Sequence, residues 1–193
     1  MKSAILIHGW NTKDEFFDES KPTASNDHWF PWLSKQLSLK GLKVDAPEMP
    51  QYDLTTYESW KKEVERFDIT AETTLVGHSC GGGFIVRYLS ENDIRVDRVV
   101  LVAPWLGLDF GYKFDENFFK FSIDADLAQK TNGVTVIYSD DDFDAIKKSV
   151  NTLESSLHGV RYIEMHGKGH FTRSSLGREA CPEVLKEVLD ETN

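Results

Sequence analysis

Six short strand candidates punctuate the sequence, at residues 4–7, 42–46, 73–76, 99–103, 134–138 and 160–165, the last of them alternating, and apolar residues recur at helical spacing between most of them. Between 29 and 39, Phe30, Leu33 and Leu37 share one helical face; between 57 and 67, Tyr57, Trp60, Val64 and Phe67 do the same. Phe84, Ile85, Tyr88 and Leu89 mark a helix over 81–89, Ile146, Val150 and Leu153 another, and Pro182 suits the first turn of a last helix running to about Leu189. Segments of four to six residues are strand length, and alternation with helices predicts an α/β chain with about six mostly parallel strands covered on both faces. No repeat, low-complexity tract or linker divides residues 1–193, so a single domain is expected.

Charge narrows the partners. The formal net charge is −10, whereas a phosphate-binding surface needs clustered Lys and Arg, so neither nucleic acid nor an anionic membrane is expected as a partner. A protein partner is not indicated. The apolar run near the start is shorter than a signal-peptide core of ~7–15 residues, and no run reaches the ~18 residues of a membrane span. With only two cysteines, Cys80 and Cys181, no disulfide framework is indicated, and a cytoplasmic protein is expected. Two segments break the alternation: a polar, acidic stretch at 11–28 and an aromatic-rich one at 104–121. Long connections of this kind are often lids or binding loops.

The chemistry centres on Gly77-His78-Ser79-Cys80-Gly81, a G-x-S-x-G pattern. Alone it is weak, since composition yields it by chance in roughly one chain in fifteen of this length. Its setting is more specific, because it follows a strand pattern and opens a helix pattern, as a nucleophile elbow requires. A tight strand-to-helix turn strains the serine and brings the two elements close; Gly77 and Gly81 leave room for that approach. Gly82 and Gly83 extend the glycine run into the helix at a cost of ~1 kcal/mol each relative to alanine. The bland alternative is a glycine-rich turn with an idle serine.

A general base belongs after the last strand, where His166-Gly167-Lys168-Gly169-His170-Phe171 stands. His170 is preferred over His166 because two glycines precede it and it lies farther along the loop. An acid to orient the histidine is sought in Ser139-Asp140-Asp141-Asp142, with Asp142 first, Asp141 second and Asp109 a more distant candidate. The same acids could instead cap the following helix. The order serine, acid, histidine is that of α/β-hydrolases, and in a parallel sheet all three follow strand ends on one edge. Backbone N–H groups of Cys80 and Trp10 are the candidate oxyanion donors. Cys80 itself should point into the packing. No C-x-x-C, H-E-x-x-H or G-x-G-x-x-G pattern occurs, so neither metal nor cofactor is expected.

These motifs, together with Ile7-His8-Gly9, Asn26-Asp27-His28-Trp29-Phe30-Pro31-Trp32-Leu33, Pro47-Glu48-Met49-Pro50, Leu101-Val102-Ala103 and Gly169-His170-Phe171, resemble the small serine hydrolases typified by retinoblastoma-binding protein nine and the bacterial YdeN proteins. The resemblance spans nearly the whole chain. It implies a compact three-layer α/β-hydrolase fold without the first two strands of larger relatives, and a triad of Ser79, Asp142 and His170. The segment Phe143-Asp144-Ala145-Ile146 carries an extra acid compared with that family, which leaves Asp141 in contention.

The expected activity is hydrolysis of a small ester, thioester or amide, with a small acyl compound as partner. Trp105, Phe110, Phe114 and Phe118 are candidates for a substrate pocket, although large aromatics are more often plain core. A binding or regulatory protein on a hydrolase scaffold is the alternative. Haloalkane or epoxide chemistry would need an aspartate where Ser79 stands.

Overall fold

Strands β1 (Ser3–Ile7), β2 (Lys43–Asp45), β3 (Thr73–His78), β4 (Arg98–Val102), β5 (Val134–Ser139) and β6 (Val160–Met165) form one sheet in the computed structural model, which describes residues 1–107 and 114–190. The order is β2-β1-β3-β4-β5-β6, and every neighbouring pair is parallel. The inner strands read as near-continuous Val, Leu and Ile because both faces are covered. Edge strand β6, by contrast, is only partly buried along its length.

The helices are α1 (Lys13–Phe16), α2 (Phe30–Leu39), α3 (Tyr57–Val64), α4 (Cys80–Glu91), α5 (Asp144–Ser156), α6 (Arg173–Leu176) and α7 (Pro182–Leu189). From β1 the chain crosses through α2 to β2 at the edge; it then returns through α3 to β3 on the other side of β1. Right-handed crossovers in opposite directions put their helices on opposite faces. Accordingly α2 packs with α7, while Trp60 of α3 meets Phe84 of α4 at a ring distance of 5.6 Å. The reversal of strand order between β1 and β3 is the switch point where open α/β sheets open a crevice beyond the strand ends.

The register aligns those ends. Ile7 pairs with Gly77, His78 with Val102, Val102 with Ile137 and Ser139 with Met165. The ladder runs on into the loops through Ser79 N to Val102 O at 2.9 Å, Ala103 N to Ile137 O at 2.8 Å and Asp140 N to Met165 O at 3.0 Å. Five loops therefore meet along one edge.

Central helix α4 buries Phe84, Ile85, Val86, Tyr88 and Leu89, and burying one such large side chain is worth ~1.5–3 kcal/mol. Its glycines have a steric reason. A Cβ at Gly81 would fall on the Ile7 carbonyl and one at Gly83 on the Trp105 carbonyl. The helix gives up propensity so that β1 and the loop after β4 can press against its first turn.

Candidate active site

Ser79 occupies the turn between β3 and α4 with φ 54° and ψ −120°, a conformation that costs a non-glycine residue ~1–3 kcal/mol. The surrounding backbone holds it there. Its N–H donates to Val102, and its carbonyl accepts from Gly82 N at 3.0 Å, Gly83 N at 3.2 Å and Trp105 N at 2.9 Å. The strain projects Oγ out of the sheet edge, 2.9 Å from Nε2 of His170.

On the far side of the imidazole, Nδ1 lies 3.0 Å and 3.1 Å from the two carboxylate oxygens of Asp142. An ionised carboxylate only accepts, so Nδ1 carries the proton and Nε2 is left to accept from the serine hydroxyl. Asp142 is buried, with no side-chain exposure, and also accepts from Phe143 N at 2.7 Å.

The other acids of the same loop do different work. Asp141 accepts from Gly169 N at 2.8 Å and from Ser139 Oγ at 2.6 Å, and the Ser139 hydroxyl in turn accepts from Lys168 N at 2.9 Å. Asp140 accepts from Gly167 N at 3.0 Å and faces His166 Nδ1 at 2.8 Å. The serine hydroxyl holds the Asp141 carboxyl below its ordinary range, and His166 does the same for Asp140. Asp140 raises the pKa of His166 reciprocally. His166 and Asp141 thus stand outside the serine–histidine line and clamp the histidine loop onto the acid loop. Asp109 lies outside the described residues.

Two further side chains fix His170 from behind, and the sequence reading gave neither of them a role. His78 Nε2 donates to the His170 carbonyl at 2.8 Å. Full burial, reinforced by the nearby His170 and His28, pushes its pKa well below the usual imidazole value, so it acts as a neutral donor. Trp29 Nε1 donates to the Phe171 carbonyl at 3.1 Å, holding a fully buried residue at φ 54°. Beside it, Arg173 Nη2 reaches Asp27 at 2.9 Å, and Arg173 N donates to His28 Nδ1 at 3.3 Å. The distinctive stretch from Asn26 to Leu33 was the available signal, because its first residues grip the loop that carries His170.

On the opposite flank, the loop after β1 crosses over the serine. A Cβ at Gly9 would stand 3.2 Å from the Ser79 Cβ. Cys80 is the first residue of α4, so its N–H is one of those that no carbonyl within the helix can satisfy, at the positive end of the helix dipole. Its thiol is buried and pushed up by desolvation, which removes it as a nucleophile.

Ser79 and His170 open into a cavity of about 240 Å3, walled by Trp10, Trp105 and Phe143 and by the more polar Glu15, Asp27 and His28. A wider hollow of about 660 Å3 shares Trp10 and Thr12 with it and is lined by Tyr52 and Phe114. Of the aromatic residues expected in a pocket, Trp105 lines the first cavity and Phe114 the second. Phe118 corrects the expectation: it is fully buried and packs against Trp60, Phe84 and Tyr57, so it belongs to the core. Phe110 lies outside the described residues. Among the described residues no three His, Cys, Asp or Glu side chains are grouped to hold a metal ion, and no helix is long and apolar enough to cross a membrane.

Comparison with known proteins agrees with this architecture. YdeN of Bacillus subtilis (strain 168), assigned to the hydrolases, is 27% identical over 197 residues, covering 97% of this chain and 94% of YdeN. The crystal structure of the B. subtilis ydeN gene product superposes with a TM-score of 0.72 at 24% identity, covering 99% of this chain and 98% of that one. Est1E from Butyrivibrio proteoclasticus, solved with ferulic acid bound, gives 0.63 at 16% identity over 99% of this chain and 89% of Est1E. An alpha-beta serine hydrolase homologue from Coxiella burnetii gives 0.60 at 16% identity over 100% of this chain and 85% of that one. The fold is that of the α/β-hydrolases. The serine hydrolase family model matches residues 4–189, and the chain belongs to that family.

Proposed function

We propose that this protein hydrolyses small carboxylic esters, thioesters or amides through an acyl-enzyme on Ser79. The observation that carries the reading is the 2.9 Å contact between Ser79 Oγ and His170 Nε2, backed by Asp142 at 3.0 Å from Nδ1. His170 takes the hydroxyl proton as Oγ attacks the carbonyl carbon. The resulting imidazolium is stabilised by the buried Asp142 carboxylate, and it returns the proton to the leaving alcohol, thiol or amine. Water then attacks the acyl carbon with His170 again as base, and serine is regenerated. The tetrahedral oxyanions of both half-reactions rest on the N–H groups of Cys80 and Trp10; losing one such donor typically costs ~2.7–4 kcal/mol.

The cavity supports a small acyl group. At about 240 Å3, with Trp10, Trp105 and Phe143 as walls, it suits a short aliphatic or single-ring acid better than a long chain. The ferulic acid in the Est1E structure is an aromatic acid on the same fold, and it makes aryl esters a sensible part of a first substrate series.

The test is covalent labelling by a fluorophosphonate probe, read by intact mass on wild type and Ser79→Ala. One adduct on wild type and none on the variant are expected, with ester turnover lost by ~10^3-fold or more in the variant. A folded wild type that takes no adduct would reject the hydrolase reading and favour a binding role on this scaffold.

A further inference from the structure

We propose that Gln51 is a positioning residue that aims the Trp10 N–H at the reacting carbonyl oxygen, by fixing the peptide between Gly9 and Trp10. This deepens the proposed function and rests on it.

The argument starts from the planarity of a trans peptide, in which the C=O and the following N–H point in opposite directions. None of the peptide bonds described is cis. The Gly9 carbonyl and the Trp10 N–H belong to one such plane, so whatever holds the carbonyl orients the N–H. Two side chains hold it: His8 Nδ1 lies 2.6 Å from Gly9 O, and Gln51 Nε2 lies 3.4 Å from it. The proton positions follow from their other partners. His8 Nε2 accepts from Met49 N at 2.9 Å, which leaves the single proton of the neutral ring on Nδ1, facing Gly9 O. His8 is buried, and desolvation lowers its pKa and keeps it neutral despite Glu48 nearby.

Gln51 does more than double the His8 contact. Its Oε1 accepts from Asn11 N at 2.7 Å, and its Nε2 also reaches Met49 O at 3.3 Å. One buried amide therefore ties both sides of Trp10, through the carbonyl before it and the N–H after it, to the segment following β2. That bracing adds to the packing of the Trp10 ring on Phe114, since Gly9 crosses Ser79 without a side chain and α1 buries none of its residues. A buried primary amide among apolar neighbours is costly unless its groups are satisfied, so its use here is matched to those backbone groups.

The experiment compares wild type with Gln51→Met, which removes donor and acceptor at similar volume, and Gln51→Glu, which keeps an acceptor for Asn11 N–H and loses the donor. Fluorophosphonate titration normalises kcat to the fraction of competent serine. For hydrolysis of p-nitrophenyl acetate, Gln51→Met is expected to lower kcat by about 10–100-fold with KM within about twofold, because displacing a donor by an ångström or so affects the transition state more than the ground state. Affinity for a short alkyl boronic acid, which becomes tetrahedral on Ser79, should fall by a similar factor. Gln51→Glu should recover neither loss, because its second carboxylate oxygen would face the Gly9 and Met49 carbonyls where the amide N–H stood.

A normalised kcat and boronate affinity equal to wild type in Gln51→Met would overturn the proposal. So would a loss that tracks only a fall in Tm or in titratable serine, since that marks a structural role. Failure of the underlying reading looks different: wild type itself would take no adduct, and the proposal would fall with it.

Discussion

The loop that carries His170 and helix α1, which border the same cavity, are held by different means. On the His170 side, each anchor is a directional bond to backbone: Asp140 to Gly167 N, Asp141 to Gly169 N, Ser139 to Lys168 N, His78 to His170 O and Trp29 to Phe171 O. Beyond the loop braced by His8 and Gln51, α1 buries none of its residues, and Phe16 and Phe17 are 46% and 61% exposed. The proposed proton transfer demands ångström placement, and the loop carrying His170 is over-determined to match. A wall that only shapes a cavity can be attached loosely, and its composition can change without disturbing the chemistry.

The sharpest way to break this comparison is to exchange neighbouring acids. Asp142→Asn replaces a pure acceptor at Nδ1 by a group that can donate, which favours the wrong histidine tautomer. Turnover of a p-nitrophenyl ester should fall by ~10^3–10^4-fold with little change in Tm. Asp141→Asn keeps an oxygen for Gly169 N and Ser139 Oγ and should lose only about two- to tenfold. Equal losses would mean that both acids serve the histidine directly.

Trp29→Phe comes next. It keeps a ring in the core and deletes the N–H that reaches the Phe171 carbonyl. An unpaired buried carbonyl costs about 1–3 kcal/mol, to be read from denaturant unfolding. A roughly tenfold loss of kcat should accompany it if Phe171 transmits the shift to His170. Lost stability with intact kcat would show that the base is placed by Asp142 and His78 alone.

How much of this was legible beforehand depends on whether a position is set by local pattern or by distant partners. The six strands, the elbow and the order Ser79, Asp142, His170 could be read because apolar periodicity and glycine spacing are local signals. The choice between Asp141 and Asp142 was harder. Both are loop acids near a helix start, and only the fold shows that one is buried against an imidazole while the other meets Gly169 N. Phe118 misled because an aromatic-rich loop reads alike whether its rings line a cavity or fill the core between α3 and α4. The distinctive stretch around Trp29 was a sign without a role, and His78 and Gln51 carried none: their roles consist of bonds to backbone groups, which for Trp29 lie 142 residues away in sequence.

The buried histidines sharpen the comparison through pH. Burial lowers the pKa of both His8 and His78, whereas unfolded histidine binds its proton near 6.5. Below pH 6.5 the unfolded chain therefore holds more protons, so the stability is complete above that value and is lost as pH falls. Exposed His166, raised by Asp140, acts in the opposite sense: its contribution is present below 6.5 and lost as pH rises through its raised value. The buried pair should dominate, and unfolding free energy should drop by about 1–3 kcal/mol between pH 7.5 and 5.5. A flat profile would mean that these imidazoles charge without leaving their bonds.

The smallest effect is expected from the loose wall. Phe16 and Phe17 touch each other at a ring distance of 5.0 Å, and Phe17 meets Tyr52 of the wider hollow at 5.8 Å. The short helix that leads into them is capped by Thr12 and Glu15, both of which also line the cavity at Ser79 and His170. Replacing both phenylalanines by alanine removes little buried area, so stability should change by no more than about 0.5 kcal/mol, or ~1–2 °C in Tm for a chain of this size. Turnover of an acetyl ester should stay within about twofold of wild type, because His170 and its anchors lie on the other flank. KM for a bulkier aryl ester should move by about two- to fivefold as α1 loses its hold on Tyr52. A Tm drop of ~5 °C or more, or an equal fall in kcat for both esters, would show instead that this wall is coupled to the catalytic loops, and the contrast between the two flanks would fail.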